Sequence, residues 1–299
     1  MIKTWFEIEA RGHARGAESA AAVLIAFGSP GILELEEDKD GEKIIKAYIP
    51  ADTSLNKNRM LLRQGLKKFG WTYTGGFFEN ADWLTKWKEH IKPIRISHRL
   101  TIKPTWKRVA QQSGRIIVEI DPGMAFGTGS HASTAMCLRA ADKLSREIQG
   151  KRVLDVGTGS AALAITAAKL GARKVVGLDI DPEAVKVARK NVKLNNVGKN
   201  ISITGRPLEK IKGDYFIIFA NIIAEELVKI APLLTERLQH NGFLILSGIL
   251  KERVQDVRIA YRREGLNPFK AYTKGEWACL IFRKTPLLRR EGSRFCSKA

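Results

Sequence analysis

The stretch Val153-Leu154-Asp155-Val156-Gly157-Thr158-Gly159-Ser160 constrains this chain more than any other. Apolar residues around one acid read as a buried strand, two glycines allow a tight turn, and the Ala-rich run behind them reads as a helix. Asp179, twenty-two residues after Gly157, ends the next strand, Val175-Val176-Gly177-Leu178. Strand, turn, helix and strand in that order form a βαβ crossover. Such a unit belongs to a mostly parallel sheet with helices on both faces.

The rest of the second half repeats this alternation. Helices are expected at 133–148, 161–170, 182–195, 224–238 and 251–264, and strands at 152–156, 174–178, 201–204, 215–220 and 242–247. Two last extended runs, 268–273 and 277–282, read as a hairpin that adds an antiparallel strand. Ahead of this region, 94–102 and 116–120 look like extended lead-in structure.

Backbone N–H groups at the start of the helix behind Gly157 and Gly159 face whatever polar group sits above them. Asp179 is placed to accept hydrogen bonds from both hydroxyls of a ribose. This spacing alone leaves a dinucleotide and S-adenosylmethionine both open. The pattern G-x-G-x-x-G needs a third glycine at position 162, where this chain has Ala162. Asp155, just before the turn, is typical of methyltransferase loops. The plain alternative is an ordinary α/β turn with Asp179 capping the next helix.

Phe219-Ala220-Asn221 places Asn221 at the carboxyl edge of the sheet, where open α/β folds bind their ligands. By itself it reads as a helix cap. Beside a cofactor loop it stands where a nucleophile approaches a methyl group. An amide suits an amine nucleophile. Neutralising a Lys ammonium at pH 7 costs about 4.6 kcal/mol and an α-amine about 1 kcal/mol. A carboxylate alongside would raise that cost, whereas an amide carbonyl orients the N–H with less bias. The remaining work is alignment.

The run Asp121 to Thr134 is glycine-rich at Gly127 and Gly129, and Ser133 or Thr134 suits the cap of the following helix. Such a run is able to fold over a bound cofactor. His131 reads as a structural histidine in preference to a general base.

The first eighty residues follow the order β-α-β-β-α-β. Strands fall at 3–8, 32–36, 43–49 and 71–78, with helices at 17–27 and 55–69 and a turn at Asp38-Lys39-Asp40-Gly41. That is a ferredoxin-like order. The expected division is 1–79 for this unit, 80–92 for a linker helix, 93–285 for the α/β domain and 286–299 for a basic tail whose composition reads as disordered.

The formal charge is +20. Such a field favours polyanions and admits a nucleic-acid contact through a basic surface, although solubility alone also accounts for it. Eight Lys/Arg against Glu89 lie between Trp83 and Arg108, and the tail adds Arg289, Arg290, Arg294 and Lys298 against Glu291. The longest apolar run, Ala20 to Phe27, is too short for a bilayer. Cys137, Cys279 and Cys296 show neither metal nor disulfide spacing. The expectation is a reduced cytoplasmic protein with no metal and no membrane contact, in which nothing demands more than a monomer.

Four segments stand together: Asp121 to Thr134, Leu154 to Ser160, Leu178 to Pro182, and Ala220-Asn221-Ile222. With the small α/β unit in front of them, they resemble the ribosomal protein L11 methyltransferase (PrmA) family over nearly the whole chain. The resemblance implies a class I methyltransferase fold, a Rossmann-like seven-stranded sheet with one antiparallel strand, and S-adenosylmethionine as methyl donor. It implies methylation of Lys side chains and the α-amine of protein L11, recognised by the N-terminal domain. Thr134, Gly157, Asp179 and Asn221 are then the cofactor contacts, joined by Gly159 and Asp155 of the loop. Asn221 lies nearest the reacting methyl.

Two positions depart from the family pattern. Ala161 stands where a glycine is usual, so its methyl group either crowds the methionine end of the cofactor or stabilises the helix start. His131-Ala132-Ser133-Thr134 replaces the usual His-Pro and two threonines. The competing readings are three. One is a lysine methyltransferase of another protein, of the electron-transfer flavoprotein beta-subunit type. Another is an RNA or DNA base methyltransferase, against which Asn221-Ile222-Ile223 lacks a Pro-Pro-aromatic continuation. The last is a non-enzymatic ribosome-binding factor.

Overall fold

The computed structural model describes residues 5–29, 32–34, 42–50, 53–78, 92–110, 113–121, 127, 129 and 131–285. The turn expected at Asp38 to Gly41, most of the linker expected over 80–92, the tail and much of 121–130 lie outside them.

The N-terminal part runs β1 (Trp5–His13), α1 (Ala17–Ala26), β2 (Ile32–Glu34), β3 (Glu42–Pro50), α2 (Thr53–Lys67) and β4 (Thr72–Phe78). Its sheet has the order β2-β3-β1-β4, antiparallel throughout, which is the ferredoxin-like arrangement. Every second residue of β1, namely Phe6, Ile8 and Ala10, points inward. There they pack with Leu24 of α1, Leu62 and Leu66 of α2, and Trp71. Ser19 of α1 also donates a hydrogen bond to the carboxylate of Glu276, far along the chain.

A three-stranded sheet follows: β5 (Ile94–Arg95), β6 (Leu100–Lys103) and β7 (Ile116–Glu119), with β6 and β7 parallel. Next come α3 (Ala132–Lys143), α4 (Ser145–Ile148), β8 (Arg152–Val156), α5 (Ala162–Lys169), β9 (Lys174–Leu178), α6 (Pro182–Leu194) and β10 (Ile201–Thr204). The chain then forms β11 (Tyr215–Asn221), α7 (Ala224–Lys229), α8 (Ala231–Arg237), β12 (Leu238–Leu250), α9 (Val254–Arg263), β13 (Asn267–Lys274) and β14 (Trp277–Arg283).

β8 to β14 make one sheet in the order β10-β9-β8-β11-β12-β14-β13, in which only β14 runs against its neighbours. Its central strands are apolar along their length because both faces are covered. The period of two then divides the residues. Val153, Ile217, Phe219, Phe243 and Ile245 enter the core under α3 and α5. Leu154, Val156, Ile218, Ala220, Leu244 and Leu246 enter the other core, under α7, α8 and α9.

The strand expected at 3–8 runs on to His13, and the helix expected over 251–264 opens with a 3-10 turn at Lys251–Arg253; three further elements also differ from expectation. The helix expected over 133–148 breaks at Leu144 into α3 and α4. The helix expected over 224–238 breaks at Ile230, because Pro232 has no N–H for the preceding turn and instead starts α8. The strand expected at 242–247 extends from Leu238 to Leu250.

Candidate active site

The carboxyl ends of β8, β9 and β11 surround a cavity of about 460 Å³. Thr134, Gly157, Gly159, Asp179 and Asn221 all line it. Its apolar walls include Leu178, Ile180 and Leu208, while Glu226 and Lys229 of α7 stand on another side.

The loop after β8 is shaped by glycine. Gly157 has φ +68°, and an added Cβ there would lie 2.5 Å from Cγ2 of Ile222. Only glycine lets the two segments come so close. At Gly159, φ is +51°, and its N–H donates to Oδ2 of Asp179 over 2.9 Å. Oδ1 of Asp179 accepts from Asp181 N–H at 3.1 Å. Two backbone donors thus fix the carboxylate, and each oxygen keeps a lone pair for a ligand.

Asp155 occupies a different place. It does not line the cavity, and its side chain is buried beneath the loop. Its Oδ2 accepts from Thr158 Oγ1 at 2.7 Å and from Ala164 N–H at 3.2 Å. It braces the turn against α5 and touches the ligand space only through that turn. Burial raises its carboxyl to about 7, against the opposing pull of those two hydrogen bonds.

Ala161 departs from both alternatives raised by its methyl group. The residue sits in the left-handed region, φ +66° and ψ +19°, at the N-terminal boundary of α5. Its side chain is buried in the core under α3 and α5, away from the cavity walls. The backbone conformation carries a cost there, and the methyl group does not narrow the cavity.

Asn221 ends β11. Its Nδ2 donates to Oγ1 of Thr134 on α3 at 3.0 Å. Its Oδ1 is buried and has no hydrogen-bond partner among the described residues. The cap reading does not apply to Asn221, because Ile223 occupies the N-cap of α7. Nor do Ser133 or Thr134 cap α3. His131 does so, its Nδ1 accepting from Ser133 N–H at 3.4 Å and lying 2.7 Å from Ser133 Oγ. The imidazole packs edge-on against Trp277, with centroids 4.7 Å apart. Burial, with Lys274 nearby, lowers it to about 4, so it is neutral at pH 7.

Sequence reasoning missed Asn191 and Asn195. Asn191 donates to Ser160 O at 3.0 Å, and its Oδ1 accepts from Asp121 N–H at 3.0 Å. Ser160 Oγ in turn donates to Gly127 O at 2.8 Å. Asn195 accepts from Glu119 N–H and donates to Glu119 O, at 2.9 and 2.6 Å. The available signal was two asparagines four apart on the buried face of an amphipathic helix, beside Ala184, Ala188 and Val192.

Residues 4–285 match the family described as ribosomal protein L11 methyltransferase (PrmA). The chain belongs to the PrmA family. A ribosomal protein L11 methyltransferase of Citrifermentans bemidjiense is 40% identical over an alignment of 309 positions, covering 95% of this chain and 99% of that one. Another from Trichlorobacter lovleyi is 46% identical and covers 96% and 100%. The crystal structure of ribosomal protein L11 methylase from Lactobacillus delbrueckii subsp. bulgaricus superposes with a TM-score of 0.61 at 30% identity, covering 66% of this chain and all of that one. The fold is thus that of a class I methyltransferase, and the PrmA chain is a methyltransferase enzyme. Among the described residues, no helix is long and apolar enough to cross a membrane.

Proposed function

We propose that this enzyme transfers methyl groups from S-adenosylmethionine to amino groups of ribosomal protein L11, both Lys side chains and the α-amine. Family membership and the names of the relatives support the substrate. The reading places the enzyme in the cytoplasm with its substrate, working as a monomer, with residues 1–79 recognising L11.

The cavity residues fit the donor. A volume of about 460 Å³ is in the range of small-molecule sites. A fixed carboxylate, Asp179, stands ready to accept hydrogen bonds from the ribose hydroxyls. Apolar Leu178, Ile180 and Leu208 suit a purine, and Gly157, where any Cβ would run into Ile222, keeps the turn close against the cavity wall. S-adenosylmethionine supplies an electrophilic methyl group on a sulfonium.

The chain's own residues align the amine. The observation that carries this reading is the unpartnered Oδ1 of Asn221, held in place by Thr134 at the cavity wall. A turn of the amide that opens this buried carbonyl to the cavity lets it accept an N–H from the incoming amine and set the nitrogen lone pair towards the methyl group. His131 is engaged with Ser133, so we assign the amine proton to solvent, lost before alignment.

The test is labelled S-adenosylmethionine with purified L11 and separated ribosomal RNA, followed by peptide mapping. Label on L11 amines is expected, and label in RNA alone overturns the reading. Asn221→Ala should lower kcat about 100-fold by loss of positioning, with cofactor affinity little changed. A parallel loss of melting temperature and activity would return Asn221 to a structural part.

A further inference from the structure

A row of aromatic rings crosses the seven-stranded sheet from the start of β11 through the middle of β12 to β13. Phe216 meets Phe243 with centroids 6.3 Å apart, and Phe243 meets Phe269 at 5.1 Å, both edge to face. Phe269 lies in β13, where the ladder with β14 shifts register between Pro268 and Lys270. Its ring is 51% exposed. Tyr272, further along β13, packs on the same core as Phe216 and Phe243.

Cations sit over these rings. Lys151 Nζ is 4.8 Å from the centroid of Phe216, and Arg283 Cζ is 5.3 Å from that of Phe243. Tyr272 carries Lys143 at 4.8 Å and Lys270 at 5.6 Å. Among the described residues, none of these four cations pairs with a carboxylate. Among the described residues β13 is also the last strand of its sheet, and no strand of theirs pairs with its outer edge.

Ring packing alone accounts for Phe243, which is buried. It does not account for Phe269, half exposed at the end of a row whose neighbouring rings carry four cations that pair with no carboxylate among the described residues. We propose that this β13 face binds single-stranded RNA. The cations neutralise successive phosphates, and the exposed ring of Phe269 takes a base by stacking, with Tyr272 beside it. Duplex bases are stacked on one another and offer no such face. An acidic peptide would use the charges and leave the ring idle. The surface is separate from the methyl-transfer site: Phe216 precedes Asn221 by five residues, about 16 Å along β11, and β13 lies three strands away from β11, roughly 14 Å across the sheet. It is a docking surface, independent of which amine is methylated.

The experiment is fluorescence anisotropy of the full-length protein with a labelled oligouridylate of ~12 nucleotides. Saturable binding is expected, with the log of affinity falling against log salt at a slope near −2.8, or about −0.7 for each of four cations. Phe269→Ala should weaken binding about tenfold, while Phe269→Tyr retains it. Lys270→Glu should weaken it and flatten the salt slope. S-adenosylmethionine affinity should stay at the parental value in all three variants, and each should still unfold in one cooperative transition. The proposal is overturned by absent binding or by parental affinity in Phe269→Ala and Lys270→Glu. Equal affinity for an RNA duplex or for polyglutamate overturns it as well, because charge alone would then suffice.

Discussion

Asp179 and Asp155 are both acids at the ends of neighbouring strands, yet their surroundings give them different work. Asp179 faces the cavity, and backbone N–H groups hold both its oxygens. Asp155 faces inward and ties Thr158 to Ala164. Asp179→Ala should therefore weaken S-adenosylmethionine binding by about 1.5–3 kcal/mol, the worth of hydrogen bonds to a charged group. Calorimetric titration measures it, and an unchanged Kd would take Asp179 out of the site. Ala161→Gly tests the reverse case. The left-handed backbone favours glycine by about 1–2 kcal/mol. Loss of a buried methyl group, at about 0.8 kcal/mol, and a more flexible unfolded chain act against it. Stability should shift by less than about 1 kcal/mol, and cofactor affinity should stay the same because the methyl group faces the core. A tenfold gain in affinity would mean that the methyl group does reach the ligand.

At the scale of elements, α6 does more than cover the sheet. Asn191 joins the glycine loop to Asp121, and the Oγ of Ser160 extends the link to Gly127. Asn191→Ala would leave a buried carbonyl and a backbone N–H without partners, for a loss of about 2–4 kcal/mol. It should also raise KM for the cofactor more than it lowers kcat. Chemical denaturation and steady-state kinetics read the two effects separately. The strands around this helix were legible because apolar residues recur with a period of two, or continuously where both faces are covered. The glycine loop and the acid twenty-two residues on were legible because backbone geometry demands particular residue types there. Asn191 was not, since a polar residue on a helix announces a partner without saying where it lies. The inward turn of Asp155 and the left-handed Ala161 were hidden for the same reason. Both depend on what packs underneath, and that is set by distant strands. The break at Leu144 has no marker in its own sequence, whereas Pro232 does mark the break before α8.

On the scale of the molecule, two buried titratable groups push stability in opposite directions with pH. The carboxyl of Asp155 rises from 3.8 to about 7 on folding, so the folded state holds its proton longer. Its contribution is full below pH 3.8 and is lost as pH rises towards 7. His131 falls from 6.5 to about 4, so the unfolded state binds the proton first. Its contribution is full above pH 6.5 and is lost as pH falls towards 4. Between about pH 4 and 6.5 the two slopes nearly cancel. Asp155→Asn should remove one of them, leaving stability to rise with pH across that window by about 3 kcal/mol, at 1.36 kcal/mol per unit. Urea denaturation of parent and variant at a series of pH values gives the difference curve, and parallel curves would refute the buried-acid account.

The near-collision of Gly157 with Ile222 has a consequence for how such an enzyme is able to evolve. Ile222 follows Asn221 directly, so under the proposed function the seat for the donor and the hand that presents the acceptor rest against one another. A bulkier residue in the turn would tilt the amide as well as the nucleoside. Drift in donor affinity and drift in acceptor geometry are therefore a single heritable trait, and new acceptors must be sought in parts of the chain farther from that seam.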